Sequence, residues 1–339
     1  MPYRIPTSEV LRFKGLPEYR YMVSDQLECK KLCGDAQESI YRWWFEFLRC
    51  SRDYWFLCKI SEGRRPQTRD PILARVYRDF GNIHSLPFSS WWDSRGEELF
   101  KERHQGTAEI REFESNSGGI NYSNKRWGKI VLEIPLAKRR GEIIEEVKKI
   151  LTEKGVGSKD AWLSASSAKY PLECAKFDLD RLKTIHTVYA LKRYLIDRHN
   201  GDLNKPGQFE LGAILELNPK AALQRGGIDS IRKKRNIMRV IVSRHLRSAK
   251  MIIENVETGR FPYSGAPEGA IPADRFTSSQ RRYQKELESE WLSINPFSDL
   301  VSRDIREYFR RAKRSMNLSF LEDPFESRAG ESYPFEEGL

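Results

Sequence analysis

The residues best suited to chemistry in this sequence are the lysines and arginines between Arg225 and Arg260. This stretch contains ten Lys or Arg residues and three acidic ones. Guanidinium groups can bind guanine edges through two hydrogen bonds, and lysines neutralise phosphates. The composition therefore predicts a surface that binds nucleic acid, with double-stranded DNA as the leading hypothesis.

The same stretch has the periodicity of one long amphipathic helix from Ile228 to Gly259. Its apolar side chains recur at intervals of three, four or seven and share one edge, which must pack inward: Ile231, Met238, Val242, His245, Ala249, Ile252 and Val256. The basic residues of this helix are the predicted nucleic-acid contacts: Arg232, Lys233, Arg235, Arg239, Arg244, Arg247 and Lys250. An ordinary solvated face and a dock for an acidic protein are the alternatives.

A second basic cluster lies on the helix predicted from about Asp299 to Met316. Its predicted nucleic-acid contacts are Arg310, Arg311 and Arg314. The alternatives are a solvated helix face and a dock for the acidic tail, because Glu322 to Glu337 holds six acids and one arginine.

Three consecutive helices are predicted from Asp178 to Ile196, from Phe209 to Leu217 and from Ile228 onward, with the basic helix last. This order resembles a helix-turn-helix unit, in which the last helix reads bases and the others brace it. The connection from Asn218 to Ile228 departs from that pattern, because a helix-turn-helix turn has three or four residues.

The segment from Tyr41 to Phe56 is half aromatic: Tyr41, Trp43, Trp44, Phe45, Phe47, Tyr54, Trp55 and Phe56. It fits either one helix over residues 39–60 or two short helices broken near Ser51. We interpret the rings as a core, because large aromatic side chains dominate cores. The alternative is a platform for stacking bases or binding a partner. A second cluster should pack on the first: Phe88, Trp91, Trp92 and Phe100.

Composition shifts divide the chain into four parts. We predict an aromatic-rich helical domain over 1–114, a small α+β connector over 115–168, a basic helical domain over 169–321 and an acidic tail over 322–339. The connector should contain a strand over Trp127 to Leu136 and a helix over Gly141 to Lys154. The fold class is therefore mainly α, and the aromatic domain is expected to supply oligomer or protein-partner contacts.

No set of residues matches an enzyme. A tyrosine recombinase needs His-x-x-Arg, and the spacing around His245 is wrong for it. The other four histidines are isolated, and the chain has neither a phosphate-binding loop nor a nucleophile elbow. We therefore predict no catalytic residue, no cofactor and no metal. The five cysteines are scattered and should be reduced thiols.

The overall charge and the absence of long apolar runs predict where the protein acts. The net charge of +11 favours polyanionic partners. No run approaches the roughly 20 apolar residues that span a bilayer, and the first residues lack the apolar region of a signal peptide. A cytoplasmic protein without membrane contact is expected.

Four segments resemble uncharacterised proteins that prophages and integrating elements encode: YRWWFEFLRCSRDYW, VYRDFGNI, WGKIVLEIPL and SRHLRSAKMIIENVETGRFP. The resemblance implies a phage or mobile-element setting and transfers no functional residue. Together with the basic helices and the lack of catalytic motifs, it leads us to predict a non-catalytic DNA-binding protein of a phage or mobile element, such as a regulator of transcription or replication. The alternative is a structural or assembly protein whose basic helices contact nucleic acid or an acidic partner.

Overall fold

The computed structural model describes most of the chain and shows a mainly helical protein. It describes residues 9–11, 13–17, 19–21, 26–62, 64–102, 139–153, 166, 168–173, 178–199, 207–222, 226–267 and 274–316. Within these ranges, β-structure is confined to one antiparallel pair of three-residue strands, β1 (Glu9–Leu11) and β2 (Tyr19–Tyr21), and two isolated bridges elsewhere in the chain. The predicted mainly α class is confirmed.

The described helices follow in chain order. They are α1 (Gln26–Gln37), α2 (Ile40–Arg49), α3 (Arg52–Ser61), α4 (Pro71–Phe80), α5 (Phe88–Trp91), α6 (Glu97–Phe100), α7 (Arg140–Glu153), α8 (Leu179–Arg198), α9 (Gln208–Ile214), α10 (Pro219–Ala222), α11 (Ile228–Val256), α12 (Ser278–Glu286), α13 (Glu288–Ser293) and α14 (Asp299–Met316). A π-helical turn, Trp92–Gly96, joins α5 to α6. The bounds predicted for α14 coincide with those observed.

The chain divides into two compact units that do not follow the predicted domains. One unit combines Met1–Leu32 with Glu97–Lys176, and the other combines Cys33–Gly96 with Phe177–Leu339. The predicted boundaries at residues 114 and 168 differ because the aromatic helices pack against the C-terminal helices. The second unit holds every basic residue predicted to bind nucleic acid.

The predicted connector is only partly described. Its strand over 127–136 lies outside the described residues, as does the acidic tail over 322–339. The helix predicted over Gly141 to Lys154 is confirmed as α7. The helix α7 has no buried residue, and its apolar Ile143 and Val147 are only half-buried.

The aromatic segment forms two helices with a break at Ser51, as one of the two predictions has it. The Ser51 hydroxyl caps α3 by accepting a hydrogen bond from the Tyr54 amide at 2.8 Å. All eight rings of the segment are buried: Tyr41, Trp43, Trp44, Phe45, Phe47, Tyr54, Trp55 and Phe56. The core interpretation is confirmed, and these rings are not a platform for bases.

The second aromatic cluster packs on the first. The ring centroid of Phe45 lies 5.0 Å from that of Trp91 and 5.4 Å from that of Phe88. Trp92 contacts Tyr41 in the same way, with centroids 5.4 Å apart. Because the described rings point into this core, the partner contacts expected of the aromatic region gain no support from them.

The aromatic core continues into the C-terminal half of the second unit. Trp44 contacts Phe261 with ring centroids 5.3 Å apart, and Trp55 contacts Trp291 at 5.4 Å. These pairs join residues more than 200 positions apart in the sequence. They explain why the aromatic helices and the basic helices form one unit.

A buried arginine, Arg275, ties the end of α11 to the aromatic helices. It is 1% exposed and forms ion pairs with Glu257 and with Asp70, whose Oδ2 lies 2.8 Å from its Nε. Asp70 also caps α4 through the Ile72 and Leu73 amides. One guanidinium therefore joins the C-terminal end of the longest helix to the start of another.

We expect Arg275→Met to lower the free energy of unfolding by about 3–5 kcal/mol, because it leaves buried carboxylates without a counter-charge. The matched control is Arg282→Met, which removes an exposed arginine of α12. Urea denaturation of both variants measures the difference. A loss below about 1 kcal/mol for Arg275→Met would show that the buried cluster is not a stabilising constraint.

A buried histidine, His186, should make stability depend on pH. It lies edge-on to Trp43 and Phe47, and burial lowers its pKa to about 4 from the usual 6.5. The folded state then binds fewer protons than the unfolded state, so the contribution is present above pH 6.5 and is lost as the pH falls towards 4. Glu257 contributes to the pH dependence of stability with the opposite sign. Burial raises its pKa to about 7, so its contribution decreases as the pH rises.

We therefore expect His186→Gln to gain stability relative to the wild type as the pH falls from 7 to 4. The difference in unfolding free energy between the two should shift by about 1–3 kcal/mol over that range. Thermal or urea unfolding at several pH values measures it. The same comparison removes the Glu257 contribution, which both proteins share. A constant difference across the range would contradict the neutral, buried state of His186.

Candidate nucleic-acid interface

The predicted long helix is confirmed as α11, which runs for 29 residues from Ile228 to Val256. At a rise of 1.5 Å per residue it is about 43 Å long. It ends three residues before the predicted Gly259, because Glu257 to Gly259 form a turn. Gly259 has φ of 82° and donates its amide to the Val256 carbonyl at 3.0 Å.

The apolar edge of α11 packs inward as predicted. Its buried members are Met238, Val242, Ala249, Ile252 and Val256. Ile231 and His245 are half-buried at its margin. This edge packs against α8 and α9, so the opposite face of the helix is turned to solvent.

Gly212 of α9 sets how closely the two helices approach. A Cβ atom at this position would overlap the Met238 side chain and press on Val242. Phe209 and Ala213 of the same helix complete the contact around Met238. The close approach fixes the orientation of the α11 face that points outward.

The three helices of the predicted helix-turn-helix-like element, α8, α9 and α11, do pack on one another. The connection between α9 and α11 contains an additional short helix, α10, which the sequence did not predict. Asn218 initiates it, since its Oδ1 accepts a hydrogen bond from the Ala221 amide at 3.0 Å. The tight turn of a helix-turn-helix is thus replaced by a helical connection, and the recognition role of α11 stays a proposal.

Five of the predicted contact residues on α11 are exposed: Arg232, Lys233, Arg239, Arg244 and Arg247. None of the five forms an ion pair with a carboxylate of the described residues. Lys250 is exposed too, with its Nζ 3.8 Å from the Glu254 carboxylate one turn later. We call the five residues the basic face.

Arg235 differs from the others, because it braces the fold. Its guanidinium lies over the ring of Phe209, 4.9 Å from the centroid, and 3.9 Å from the Glu210 carboxylate. A cation over an aromatic ring is attracted by the face of that ring, so Arg235 helps to hold α9 against α11. Its side chain is still 43% exposed, and its prediction as a contact residue stays a prediction.

The second basic cluster, on α14, also contains both an arginine without a carboxylate partner among the described residues and one that pairs within the protein. Arg310 is exposed on α14. Arg311 pairs with Glu216 at 2.9 Å and with Glu307 at 3.2 Å, so its charge is largely used within the protein. The Arg314 side chain lies outside the described residues. Arg310 and Arg311 are both exposed, but of the two only Arg311 has a carboxylate partner among the described residues.

One feature of α11 was missed: an exposed apolar strip on the outward side. Ile237 and Val240 are 41% and 49% exposed, and Ile241 is half-buried beside them. Together with Arg232, Lys233 and Arg244 of the same helix, they form an open and shallow surface, which we call the outer groove. Val240 and Ile241 follow Ile237 by three and four residues. Because residues at these intervals share one side of a helix, a helical wheel of the sequence could have revealed the apolar strip.

A buried cysteine and histidine meet in the core, with Cys50 Sγ 3.5 Å from His186 Nε2. Such a pair is the arrangement of a thiol nucleophile and its base. Burial, however, raises the pKa of Cys50 to about 12 and lowers that of His186 to about 4. The thiol is thus kept protonated, and the pair is a packing contact.

The described residues show neither a metal-binding cluster nor a membrane span. No group of three or more His, Cys, Asp or Glu side chains among them could hold a metal ion. None of the described helices combines the length and apolarity needed to cross a bilayer. Comparison with protein families, with curated proteins and with solved structures finds no match.

We expect Gly212→Ala to lower the melting temperature, because the added methyl group must displace Met238 or shift α9. Overpacking of this kind costs about 1–3 kcal/mol. The control is Gly141→Ala in α7, where a Cβ atom meets nothing within 4 Å. That variant should melt no lower than the wild type, since alanine favours helix. Equal melting temperatures of the two variants would show that α9 and α11 can move apart without loss of stability.

Proposed function

We propose that this protein binds double-stranded DNA through the basic face of α11 and does so without catalysis. The observation that carries the proposal is the set of five exposed cations without carboxylate partners among the described residues. They stand on a helix whose other edge is locked into the core. A rigid display of this kind costs little side-chain and backbone ordering on binding.

The dimensions of the basic face suit a duplex. From Arg232 to Arg247 the helix rises about 22 Å, and a duplex presents one phosphate charge per roughly 1.7 Å of its axis. The major groove is about 12 Å wide and admits a helix. Arginines in the groove can bind guanine edges, while those at its margins neutralise phosphates.

The surroundings of α11 support a recognition role. In the helix-turn-helix-like reading, α8 and α9 brace α11, and α10 replaces the tight turn. Arg310 of α14 would add a phosphate contact beside the main helix. We propose that the protein regulates transcription or replication. It would do so inside the cell, for a phage or another mobile element.

A second candidate function is that of a structural or assembly protein whose basic helices contact nucleic acid or an acidic neighbour. The exposed Ile237 and Val240 favour this candidate, since exposed apolar residues rimmed by polar ones mark protein contacts. Light scattering of the purified chain without nucleic acid separates the two. A regular multimer supports the assembly function, and a monomer or dimer supports the regulator.

We expect Arg239→Ala combined with Arg247→Ala to weaken binding to a 20-base-pair duplex by about 10- to 100-fold at low salt. The slope of log Kd against log salt concentration should fall by about 2, because each lost phosphate contact releases about one counterion fewer. Fluorescence anisotropy at several salt concentrations measures both quantities.

The matched control for this variant is Arg282→Ala combined with Lys285→Ala. It removes two exposed positive charges from α12 and leaves the net charge equal to that of the test variant. Binding by the control should match that of the wild type. Equal weakening in both variants would show that net charge acts, rather than the basic face. Sequencing the nucleic acid recovered with the protein from cells then shows which sites it occupies.

A further inference from the structure

The outer groove of α11 has a mixed chemistry that a single class of ligand fits. Its floor is the apolar strip Ile237, Val240 and Ile241, and its rim carries Arg232, Lys233 and Arg244 against one acid, Asp229. An occupant needs apolar or aromatic side chains for the floor and carboxylates for the rim. Phosphate groups alone would leave the floor exposed.

A second copy of α11 is poorly suited to this groove. Two copies would bring two positively charged rims together, and like charges at close range oppose association. The occupant should instead be negatively charged. Charge complementarity thus points to an acidic segment that also carries aromatic residues.

The chain itself contains such a segment after α14. Residues 322–337, the acidic tail, hold six carboxylates and one arginine, which gives a net charge of −5. The aromatic residues Phe325, Tyr333 and Phe335 are interspersed among these acids. The tail thus offers aromatic groups for the floor and carboxylates for the rim.

The point where α14 ends places the tail within reach of the groove. Arg311, five residues before the end of α14, pairs with Glu216. The next residue, Leu217, packs on the cluster that contains Met238, the neighbour of Ile237. The 23 residues after Met316 can extend to about 76 Å, which exceeds the length of α11.

We propose that the acidic tail docks in the outer groove of the same chain and competes there with nucleic acid. The docking itself stands on the groove, the charges and the chain geometry. The competition rests on the proposed function, because Arg232, Lys233 and Arg244 belong both to the groove and to the basic face. The tail would then leave Arg239 and Arg247 open and cover the remaining three residues.

A photo-cross-linking experiment tests the docking without nucleic acid. The full chain carries p-benzoylphenylalanine in place of Phe335, is irradiated as a dilute purified protein, and is digested for mass spectrometry. We expect cross-links within one chain to residues 233–244. Cross-links between two chains, cross-links to another surface, or none above those of a chain labelled at Tyr283 would overturn the proposal.

Paired variants show whether the apolar floor holds the tail. Ile237→Ser with Val240→Ser should reduce the cross-link yield at least about fivefold. The matched control is Ile72→Ser with Leu86→Ser, which alters two apolar residues of 42% and 40% exposure elsewhere and should leave the yield unchanged. Circular dichroism confirms that both variants fold, as expected for exposed positions. Equal yields in the two variants would exclude the groove as the docking site.

Neutralising the tail tests the competition. In the full chain, Glu322, Glu326, Glu331, Glu336 and Glu337 are replaced by Gln and Asp323 by Asn. Affinity for the duplex should then rise at least about tenfold at low salt, within the range of ordinary coupling between sites. An unchanged affinity beside a positive cross-link would overturn the competition. If neither chain binds the duplex, the proposed function fails while the cross-link result stands.

Discussion

The buried guanidinium of Arg275 is the constraint on which the second unit depends. It bridges Glu257, directly after α11, and Asp70, directly before α4. The backbone carbonyl of the same residue accepts hydrogen bonds from the Arg69 amide at 2.9 Å and the Thr68 hydroxyl at 2.8 Å. A buried charge without a counter-charge destabilises the folded state. Removing Arg275 would therefore leave the buried carboxylates around it unpaired and lower the stability of the fold. The aromatic helices and α11 are thereby held in a single arrangement.

The same constraint holds α11 in one orientation. Its C-terminal end is fixed by Glu257, and its central part is fixed where Gly212 allows close approach to Met238. A helix anchored over most of one edge cannot turn its basic face inward. Solvent-exposed cations on a free helix would be averaged over many orientations, whereas those of α11 keep one relative geometry.

Local patterns predicted the elements, and contacts between distant residues decided the rest. Periodicity alone located α11 and its packed edge, because residues on a helix repeat every 3.6 positions. The division into two units escaped prediction, since pairs such as Trp44 with Phe261 join segments that no local pattern relates. The contact between Arg235 and Phe209 escaped prediction for the same reason, because Phe209 lies 26 residues earlier. The basic face itself was predictable, but which of its charges are free was not.

The outer groove offers only weak apolar contacts to whatever binds there. Ile237 and Val240 are already about half covered, so their complete burial would contribute only about 1 kcal/mol each. Such a gain alone gives only weak binding to a separate protein at ordinary concentrations. A segment of the same chain, however, acts at an effective concentration of about millimolar, at which a few kilocalories per mole suffice. A contact of this size can therefore act within one molecule, whereas a separate partner would need further contacts beside the strip.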